Sequence, residues 1–175
     1  MRIRLATADD SPEVARVIKA VYDEYGFTWD EADYHADLFA LEEYYFSRGH
    51  SFWIAEEGQH AVGTVALEMF APLPGKAGEV LVLAGENRLA GCDCALQRLY
   101  VHPDARRLGA GSALIDTAIE EARSAGKRLM EIWSDKRFTN AHRLYERLGA
   151  TTVSDRICHD PDQSPEWGLI LPIPG

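Results

Sequence analysis

The sequence predicts one α/β domain of the α+β type, and three observations support this fold class. A length of 175 residues with 46% hydrophobic composition is ample for one core and short for two. Some apolar runs alternate with period two and others repeat with helical spacing, so strands and helices both occur. A strand, a glycine-containing turn and an amphipathic helix follow one another between residues 95 and 124. No repeat, low-complexity tract or linker divides the chain, so we predict a single domain over residues 1–175.

The first half is expected to contain a strand, two helices and a hairpin. A strand at residues 3–6 precedes a helix that begins near Ser11-Pro12, because a capping residue and a proline suit the first turn. Gly26 ends that helix. A second helix is expected over residues 31–46, with three residues facing the core: Leu38, Leu41 and Tyr45. The hairpin strands lie at residues 51–55 and 61–69.

The second half begins with a segment rich in proline and glycine, residues 70–91, in which only residues 80–83 resemble a strand. Clearer elements follow it. We predict strands at 95–101, 128–133, 151–157 and 167–171, and a helix at 109–124 closed by Gly126. A last helix is expected to begin with Thr139 or Asn140 as its cap and to end at Gly149.

Charge and composition narrow the range of partners. The net charge of −10 argues against nucleic acid and anionic membranes. No apolar run approaches the roughly 20 residues of a membrane span, no signal peptide is expected, and three cysteines do not make a disulfide framework. A cytoplasmic location is therefore expected. Residues 98–147 carry ten Lys or Arg and seven Asp or Glu, whereas residues 23–43 contain eight acidic residues and no Lys or Arg.

The turn Arg106-Arg107-Leu108-Gly109-Ala110-Gly111 lies between a predicted strand and a predicted helix. The first N–H groups of a helix lack internal partners, and the helix dipole adds partial positive charge. Glycines let the backbone approach an anion, and two arginines add forked donors. The sequence therefore predicts a phosphate site here.

Other phosphate-binding loops fit this turn less well. A dinucleotide loop needs a third glycine where the chain has Leu114, and a P-loop needs Gly-Lys-Ser/Thr, which is absent. A plain helix start with a glycine turn remains the alternative.

Two motifs carry a resemblance to a known family. Val101-His102-Pro103 followed by Arg106-x-x-Gly109-x-Gly111 resembles the coenzyme A signature of the GCN5-related N-acetyltransferases (GNAT). About thirty residues later, the segment from Asn140 to Ala150 resembles the family's second landmark. The resemblance implies the GNAT fold, a mixed and mostly antiparallel sheet of about six to seven strands flanked by about four helices. It also implies an acyltransferase that uses acetyl-CoA as co-substrate.

The resemblance assigns cofactor and catalytic roles to individual residues. The amides of Leu99, Tyr100 and Val101 would bind the pantetheine arm and polarise the thioester carbonyl. Asn140 would contact the coenzyme A arm, and Tyr145 would protonate the departing thiolate. The pyrophosphate would lie on Arg106, Arg107, Leu108, Gly109, Ala110, Gly111 and Ser112. From the sequence alone, Tyr145 could equally pack in a core beside Leu144 and Leu148.

The general base is the point at which this chain departs from the family. Many members have a glutamate near the start of the bulged strand, and the corresponding position here is Ala95. An alkylamine is mostly protonated at pH 7, so some group must accept a proton before attack. We rank Glu68 first, because it lies late on a predicted central strand, ahead of three other residues: Glu131, Asp135 and His102. Glu131 alternates with apolar neighbours and so could face solvent.

The acceptor is expected among aromatic and acidic residues. Tyr22, Tyr25 and Phe27 lie close to the acidic stretch, and Trp133 ends a predicted strand. Such a surface suits a cationic primary amine, on a small molecule or a peptide, through charge and cation–π attraction. A solvated acidic helix face with buried aromatic residues is the alternative.

Two further hypotheses remain open. The chain could bind acetyl-CoA without transferring the acyl group, as a sensor or interaction module, and the missing glutamate at Ala95 favours this reading. Cys92, Cys94 and Cys158-His159 suggest zinc only weakly, since no second close pair exists, and no metal is predicted. The resemblance alone makes a homodimer plausible.

Overall fold

The structure, a computed structural model, describes all residues from 1 to 175. Its nine strands are β1 (Arg2–Leu5), β2 (Ser51–Glu57), β3 (His60–Met69), β4 (Val80–Leu83), β5 (Glu86–Leu89), β6 (Cys94–Val101), β7 (Leu129–Asp135), β8 (Thr151–Ile157) and β9 (Pro165–Pro172). Its four α-helices are α1 (Ser11–Tyr25), α2 (Leu41–Tyr44), α3 (Ala110–Ser124) and α4 (Thr139–Arg147). None of these helices is long and apolar enough to cross a membrane.

Seven strands form a mixed sheet in the order β1-β2-β3-β6-β7-β9-β8, and β4 and β5 form a separate hairpin. β1 with β2, β2 with β3, β7 with β9 and β8 with β9 are antiparallel, whereas β6 and β7 are parallel. The predicted fold class, a mixed and mostly antiparallel sheet with four helices, is confirmed.

The chain divides into two compact units. The first comprises Met1–Glu68 and Gln97–Ala118. Its core contains the apolar face of α1, which repeats at helical spacing, together with side chains of β2 and β3. The fully buried members include Val14, Ile18, Phe52 and Ile54. Gly26 ends α1 with φ 71°, a left-handed conformation that glycine adopts without strain.

The second unit comprises Met69–Leu96 and Ile119–Gly175. The pairs β6–β7, β7–β9 and β8–β9 build its sheet, with buried residues on the central strands that include Met130, Ile132, Leu169 and Leu171. Asp93 is also buried and accepts hydrogen bonds from the N–H groups of Arg128 and Leu129, which fixes the start of β7.

The predicted helix over residues 31–46 is wrong. This segment folds instead into turns, a short 3₁₀ segment at Ala36–Phe39 and the single helical turn α2. Asp30 accepts the N–H groups of Asp33 and Tyr34, as a capping residue does, but no α-helix continues from it, because Arg98 binds the carbonyl oxygen of Tyr34 and the carboxylate of Asp37. The inward positions Leu38, Leu41 and Tyr45 are nevertheless buried, as predicted.

Two smaller predictions also need correction. The segment 70–91 contains two paired strands rather than one, because residues 86–89 return along β4 as β5. α4 begins at Thr139, as the spacing predicted, but Phe138 is the capping residue and no side chain caps the helix. Neither Thr139 nor Asn140 therefore has the predicted capping role.

Candidate functional site

The turn between β6 and α3 has the backbone geometry of an anion site. Arg107 and Gly109 both adopt left-handed conformations, with φ values of 66° and 82°. Alternation of left- and right-handed residues turns successive N–H groups toward one concave surface. No backbone acceptor pairs with the N–H groups of residues 107–112, and α3 begins within this range at Ala110. Leu108, Gly109 and Ser112 are exposed, so an anion can reach these donors.

The two arginines of the turn have different surroundings. Arg106 forms a two-pronged ion pair with Glu24 of α1, with Nη1 2.7 Å from Oε1. The side chains of Arg106 and Glu24 are 35% and 41% exposed, so the pair is accessible to solvent and to competing anions. Arg107 is exposed and has no ion-pair partner in the chain. The sequence could not show this difference, because Glu24 lies 82 residues away.

β6 departs from regular strand geometry at Arg98, directly before Leu99, Tyr100 and Val101. Its register with β7 ends at the pair Leu96 and Ile132, although β6 continues to Val101. Arg98 then adopts φ 52°, which interrupts the alternation of the strand. The N–H groups of residues 99–101 are therefore outside the parallel ladder with β7. The family resemblance assigns the amides that polarise the thioester carbonyl to an irregular strand of this kind.

A pocket of about 210 Å³ lies in the first unit. Carboxylates, phenols and guanidinium groups share its lining, which comprises Asp33, Tyr34, Asp37, Tyr44, Tyr45, Arg48, Glu68, Gln97 and Arg98. Asp37 and Arg98 form an ion pair with each other, at 2.6 Å between Nη2 and Oδ1. Of the remaining charged groups, Asp33 and Glu68 are negative and Arg48 is positive. The pocket is therefore weakly acidic and rich in hydroxyl groups.

Glu68, the first-ranked candidate base, lies in this pocket at the end of β3 and is half-buried. The suggestion that Glu131 faces solvent is wrong. Its side chain is 1% exposed and forms an ion pair with Arg88, while its carboxylate also accepts the N–H groups of Leu89 and Trp133 Nε1. Asp135 is likewise buried and paired with Arg137. Both carboxylates are thus already bound within the second unit.

Tyr22, Tyr25 and Phe27 belong to an aromatic cluster beside the pocket residues. Tyr22 is only 5% exposed, and its ring contacts the edges of Phe27, Trp29 and His35. Burial raises the pKa of Tyr22. Tyr25 is the more exposed ring and lies 5.2 Å from Phe27. None of the three lines the pocket, so Tyr34, Tyr44 and Tyr45 present the phenols there.

His35 lies at the centre of that aromatic cluster. Its ring stacks on Trp29 with 4.0 Å between centroids, and Nδ1 is 3.1 Å from the carbonyl oxygen of Asp30. The side chain is fully buried, and Nε2 has no hydrogen-bond partner. Burial, together with the positive charge of Arg98, lowers the pKa of His35 to about 4. His35 is therefore neutral near pH 7.

Trp133 lies in the second unit, within a network of charged side chains. Its Nε1 donates to Glu131, and the guanidinium of Arg156 lies 4.2 Å from its ring centroid. Arg156 in turn pairs with Glu166, whose pKa is raised by burial. The backbone of Gly168 leaves room for the ring, because a Cβ at this position would lie 2.6 Å from Cζ3 of Trp133. Trp133 is half-buried and is held by these contacts, and its substrate role stays a prediction.

Tyr145 and Asn140 both belong to α4 of the second unit. Tyr145 is buried, with its ring centroid 6.5 Å from that of His142. The imidazole of His142 contacts Ser134 Oγ at 3.1 Å, and burial lowers the pKa of His142. Asn140 is exposed, with its side-chain oxygen 3.4 Å from Arg143 Nη1.

The cysteines offer no metal centre. The chain has no group of three or more His, Cys, Asp or Glu side chains arranged to hold a metal ion. Cys92 and Cys94 are buried, and burial raises the pKa of each thiol to about 12. Such thiols are protonated at neutral pH in this structure.

Sequence reasoning missed Arg98, Arg48 and Tyr44 as pocket residues. Arg98 gives no signal in the sequence, since only its backbone conformation and its pairing with Asp37 distinguish it. Tyr44 lies in the segment that was predicted as a regular helix, and periodicity alone would have turned it to solvent. Arg48 lies two residues beyond that predicted helix, where the sequence indicated no element.

Comparisons with known proteins identify the family of the chain. The family model described as "Acetyltransferase (GNAT) family" matches residues 17–150. The uncharacterized N-acetyltransferase YjgM of Escherichia coli (strain K12) is 32% identical over 149 residues, which cover 84% of this chain and 80% of that protein.

Solved structures share the fold at low sequence identity. An acetyltransferase of the GNAT family from Staphylococcus aureus Mu50 superposes with a TM-score of 0.74 at 18% identity, over 99% of both chains. The protein yncA from Salmonella typhimurium, whose structure is described with its cofactor acetyl-CoA, gives a TM-score of 0.71 at 19% identity. That match covers 99% of this chain and 94% of yncA.

Proposed function

The chain belongs to the acetyltransferase (GNAT) family, and we propose that it transfers the acetyl group of acetyl-CoA to the primary amine of a cationic small molecule or peptide. One observation carries this proposal. The bulged end of β6 and the left-handed turn before α3 are separated by only a few residues, and both present N–H groups that are suited to a thioester and its phosphates.

The turn fits the pyrophosphate of acetyl-CoA. The N–H groups of residues 107–112 supply donors, Arg107 supplies positive charge, and the dipole of α3 adds to both. The amides of Leu99, Tyr100 and Val101 would bind the pantetheine arm and the carbonyl oxygen. Because these donors are fixed before reaction, they would stabilise the negative charge that develops on this oxygen. Asn140 would contact the same arm from α4.

Acetyl-CoA supplies the acetyl group as a thioester. Glu68 would accept a proton from the ammonium of the acceptor, directly or through a water molecule, and the neutral nitrogen would then form a bond to the acetyl carbon. The bond from this carbon to sulfur breaks as the amide forms. Glu68 would release the first proton to solvent before it accepts the second proton that the nitrogen loses. This second proton balances the one that the sulfur receives, so the products are an N-acetylated amine, coenzyme A and one proton in solvent.

Tyr145 would donate the proton that the sulfur requires. A phenol holds its proton at neutral pH and can give it to a thiolate as that thiolate forms. The assignment rests on the match between the segment 140–150 and the second landmark of the family. The burial of Tyr145 is consistent with a fixed side-chain position.

The pocket of the first unit favours a cationic acceptor. Three carboxylates line this pocket and only two guanidinium groups, of Arg48 and Arg98, so the lining has a net negative charge. The phenol rings of Tyr34 and Tyr44 can contact an ammonium group through their faces and their oxygens. Tyr22, Tyr25 and Phe27 would support this wall from the adjoining cluster.

The test is steady-state thiol release from acetyl-CoA with a panel of amines. The panel contains cationic diamines, peptides with free N-termini, neutral amines and amines that carry a carboxylate. We expect turnover with cationic amines, and Tyr145→Phe should lower kcat by about 100-fold or more while acetyl-CoA affinity is retained. Turnover limited to neutral or anionic amines would refute the proposal that the acceptor is cationic.

A non-catalytic acyl-CoA sensor is the second candidate function. Ala95, at the position of the usual glutamate, is buried and cannot serve as a base. The sensor hypothesis predicts that acetyl-CoA binds but that no amine releases thiol above the rate of hydrolysis. It also predicts that Tyr145→Phe leaves the measured thiol release unchanged.

A further inference from the structure

Arg98 combines a strained backbone with a buried, fully engaged side chain. Four non-glycine residues have positive φ, and Arg98 is the one that lies inside a strand. An L-residue is disfavoured in the left-handed region, and such a conformation persists only where the surrounding contacts impose it. The contacts of Arg98 therefore need to account for its φ of 52°.

These contacts come from the segment that walls the pocket. Arg98 Nε lies 3.0 Å from Asp37 Oδ2, and Nη2 lies 2.6 Å from Oδ1, so the pair is two-pronged. Nη2 also donates to the carbonyl oxygen of Tyr34 at 2.9 Å, and the guanidinium lies 5.2 Å from the centroid of that ring. The side chains of Arg98 and Asp37 are only 11% and 13% exposed.

Two further hydrogen bonds reach the backbone of Arg98 and the carboxylate of Asp37. Thr64 Oγ1 donates to the carbonyl oxygen of Arg98 at 2.7 Å, which fixes the strand from the β3 side. The hydroxyl of Tyr45 donates to Asp37 Oδ2. Burial acts to lower the pKa of Arg98, but the charge of Asp37 opposes this effect and the net pKa is raised, so the arginine remains charged.

We propose that Arg98 is a positioning residue, whose ion pair with Asp37 holds β6 in the bulged conformation that presents the N–H groups of Leu99, Tyr100 and Val101 to the thioester carbonyl. The same pair fixes the pocket wall formed by Tyr34 and Asp37. Breaking a buried pair costs more than left-handed strain, so the pair can impose the bulge. This inference rests on the proposed function. It assigns to the side chain of Arg98 the positioning of both the acceptor-pocket wall and the N–H groups that bind the thioester carbonyl.

The test combines the single variants Arg98→Gln and Asp37→Asn with the double variant. Each single variant leaves one buried charge without its counter-charge. The double variant replaces both charged groups by neutral amides that can still form hydrogen bonds, so we expect the double variant to fold. We expect kcat to fall about 100-fold in each variant, as misplaced donors imply, with the KM for acetyl-CoA changed by less than about threefold. Because one clamp is broken in all three, the losses should not add.

Arg4→Gln is the matched control. Arg4 also forms a two-pronged pair, with Asp10, and belongs to the same unit, but it does not line the pocket. We expect it to lower the midpoint of urea unfolding without changing kcat. A folded double variant that retains kcat within twofold of the parent chain would overturn the proposal. A loss in the double variant as large as the two single losses combined would also overturn it.

Amide hydrogen exchange provides a readout that does not depend on turnover. In the chain without ligand, the N–H group of His102, which donates to the carbonyl oxygen of Val62 just beyond the bulge, should exchange at least tenfold faster in the double variant than in the parent, and Arg4→Gln should leave it unchanged. Unchanged exchange in the double variant would refute the clamp. If the parent chain acetylates no amine, the proposed function fails, and exchange alone then decides whether Arg98 holds the bulge.

Discussion

At the scale of single residues, the structure separates charged groups that are free to meet a ligand from those already bound within the chain. Arg107 is exposed without an ion-pair partner, whereas the neighbouring Arg106 is paired with Glu24. In the pocket, Asp37 is paired and Asp33 is not. The distinction leads to predictions that residue type alone would not give.

Glu24→Gln is expected to tighten acetyl-CoA binding. The substitution removes a negative charge beside the phosphate site and releases both prongs of Arg106, so the dissociation constant should fall about two- to fivefold, in keeping with an exposed pair. Titration calorimetry at low and high salt measures the effect, which should shrink as salt rises. Asp23→Asn, which breaks a pair with Lys19 in the same helix, should have no effect. Weaker binding in Glu24→Gln would contradict the role of Arg106.

Arg107→Gln is expected to act in the opposite direction. Loss of the unpaired guanidinium should weaken acetyl-CoA binding about tenfold and reduce its dependence on salt. The free energy of unfolding should change by less than about 0.5 kcal/mol, because the side chain is exposed and has no ion-pair partner. Calorimetry and urea unfolding on the same protein measure both quantities. Binding at the parental affinity would show that the amides alone hold the phosphates.

His35 predicts a pH dependence of stability. Its pKa in the folded chain is about 4, below the ordinary value of 6.5, so folding favours the neutral ring. The stabilisation is complete above about pH 6.5 and is lost as pH falls toward 4, by about 3 kcal/mol at most. Urea unfolding between pH 7.5 and 4.5 should show this slope, and His35→Gln should flatten it. His50 and His142 also have lowered pKa values, so the difference between variant and parent is the quantity to compare.

At the scale of elements, glycines and irregular turns position the side chains of both units. Gly168 on β9 faces Trp133 on β7, and the register pairs the two residues directly. Gly168→Ala would drive a Cβ into the indole and displace it from Glu131. We expect a loss of about 1–3 kcal/mol in the free energy of unfolding, measured with urea. Val153→Ala on the exposed part of β8 is the control, and an equal loss there would show that the contact is not tight.

The helices also show where a sequence pattern predicts structure and where it does not. The helices α1 and α3 were predictable, because their apolar faces repeat at helical spacing and are buried by tertiary packing. The segment 31–46 has similar spacing at Leu38, Leu41 and Tyr45, but Arg98 binds the carbonyl oxygen of Tyr34 and pairs with Asp37. The latter contact spans 61 residues, so no local pattern could indicate it.

At the scale of the whole molecule, ligand binding should be visible as stability. A ligand that binds only the folded chain stabilises it by about 2.7 kcal/mol at 100 times its dissociation constant. For a chain of this size, acetyl-CoA should then raise Tm by about 5–10 °C, measured by calorimetry. NAD is the control nucleotide and should give less than about 1 °C. Equal stabilisation by the two would contradict the assignment of the turn to coenzyme A.

The fold class was predictable from the sequence because two ordered motifs and the periodicity of the strands agree with each other. The sequence could predict a turn with suitable geometry where the chemistry follows chain order, as in residues 106–112, in which Arg107 and Gly109 adopt left-handed conformations before α3. The binding role of this turn stays a prediction. Site assignments could not be made where the site depends on long-range contacts. Tyr22 has the residue type expected of an acceptor site but is buried, whereas Tyr44 and Arg48 line the pocket.

The irregular segment between Gly26 and His50 has one more consequence, which concerns protein engineering. It contributes no strand to the sheet, and it is anchored by buried side chains and by the pair of Asp37 with Arg98. A graft from a relative could therefore replace its exposed positions without any strand register to preserve. Libraries that randomise Asp33, Tyr44 and Arg48 while keeping Asp37, Leu38, Leu41 and Tyr45 should yield folded catalysts with altered acceptor preference.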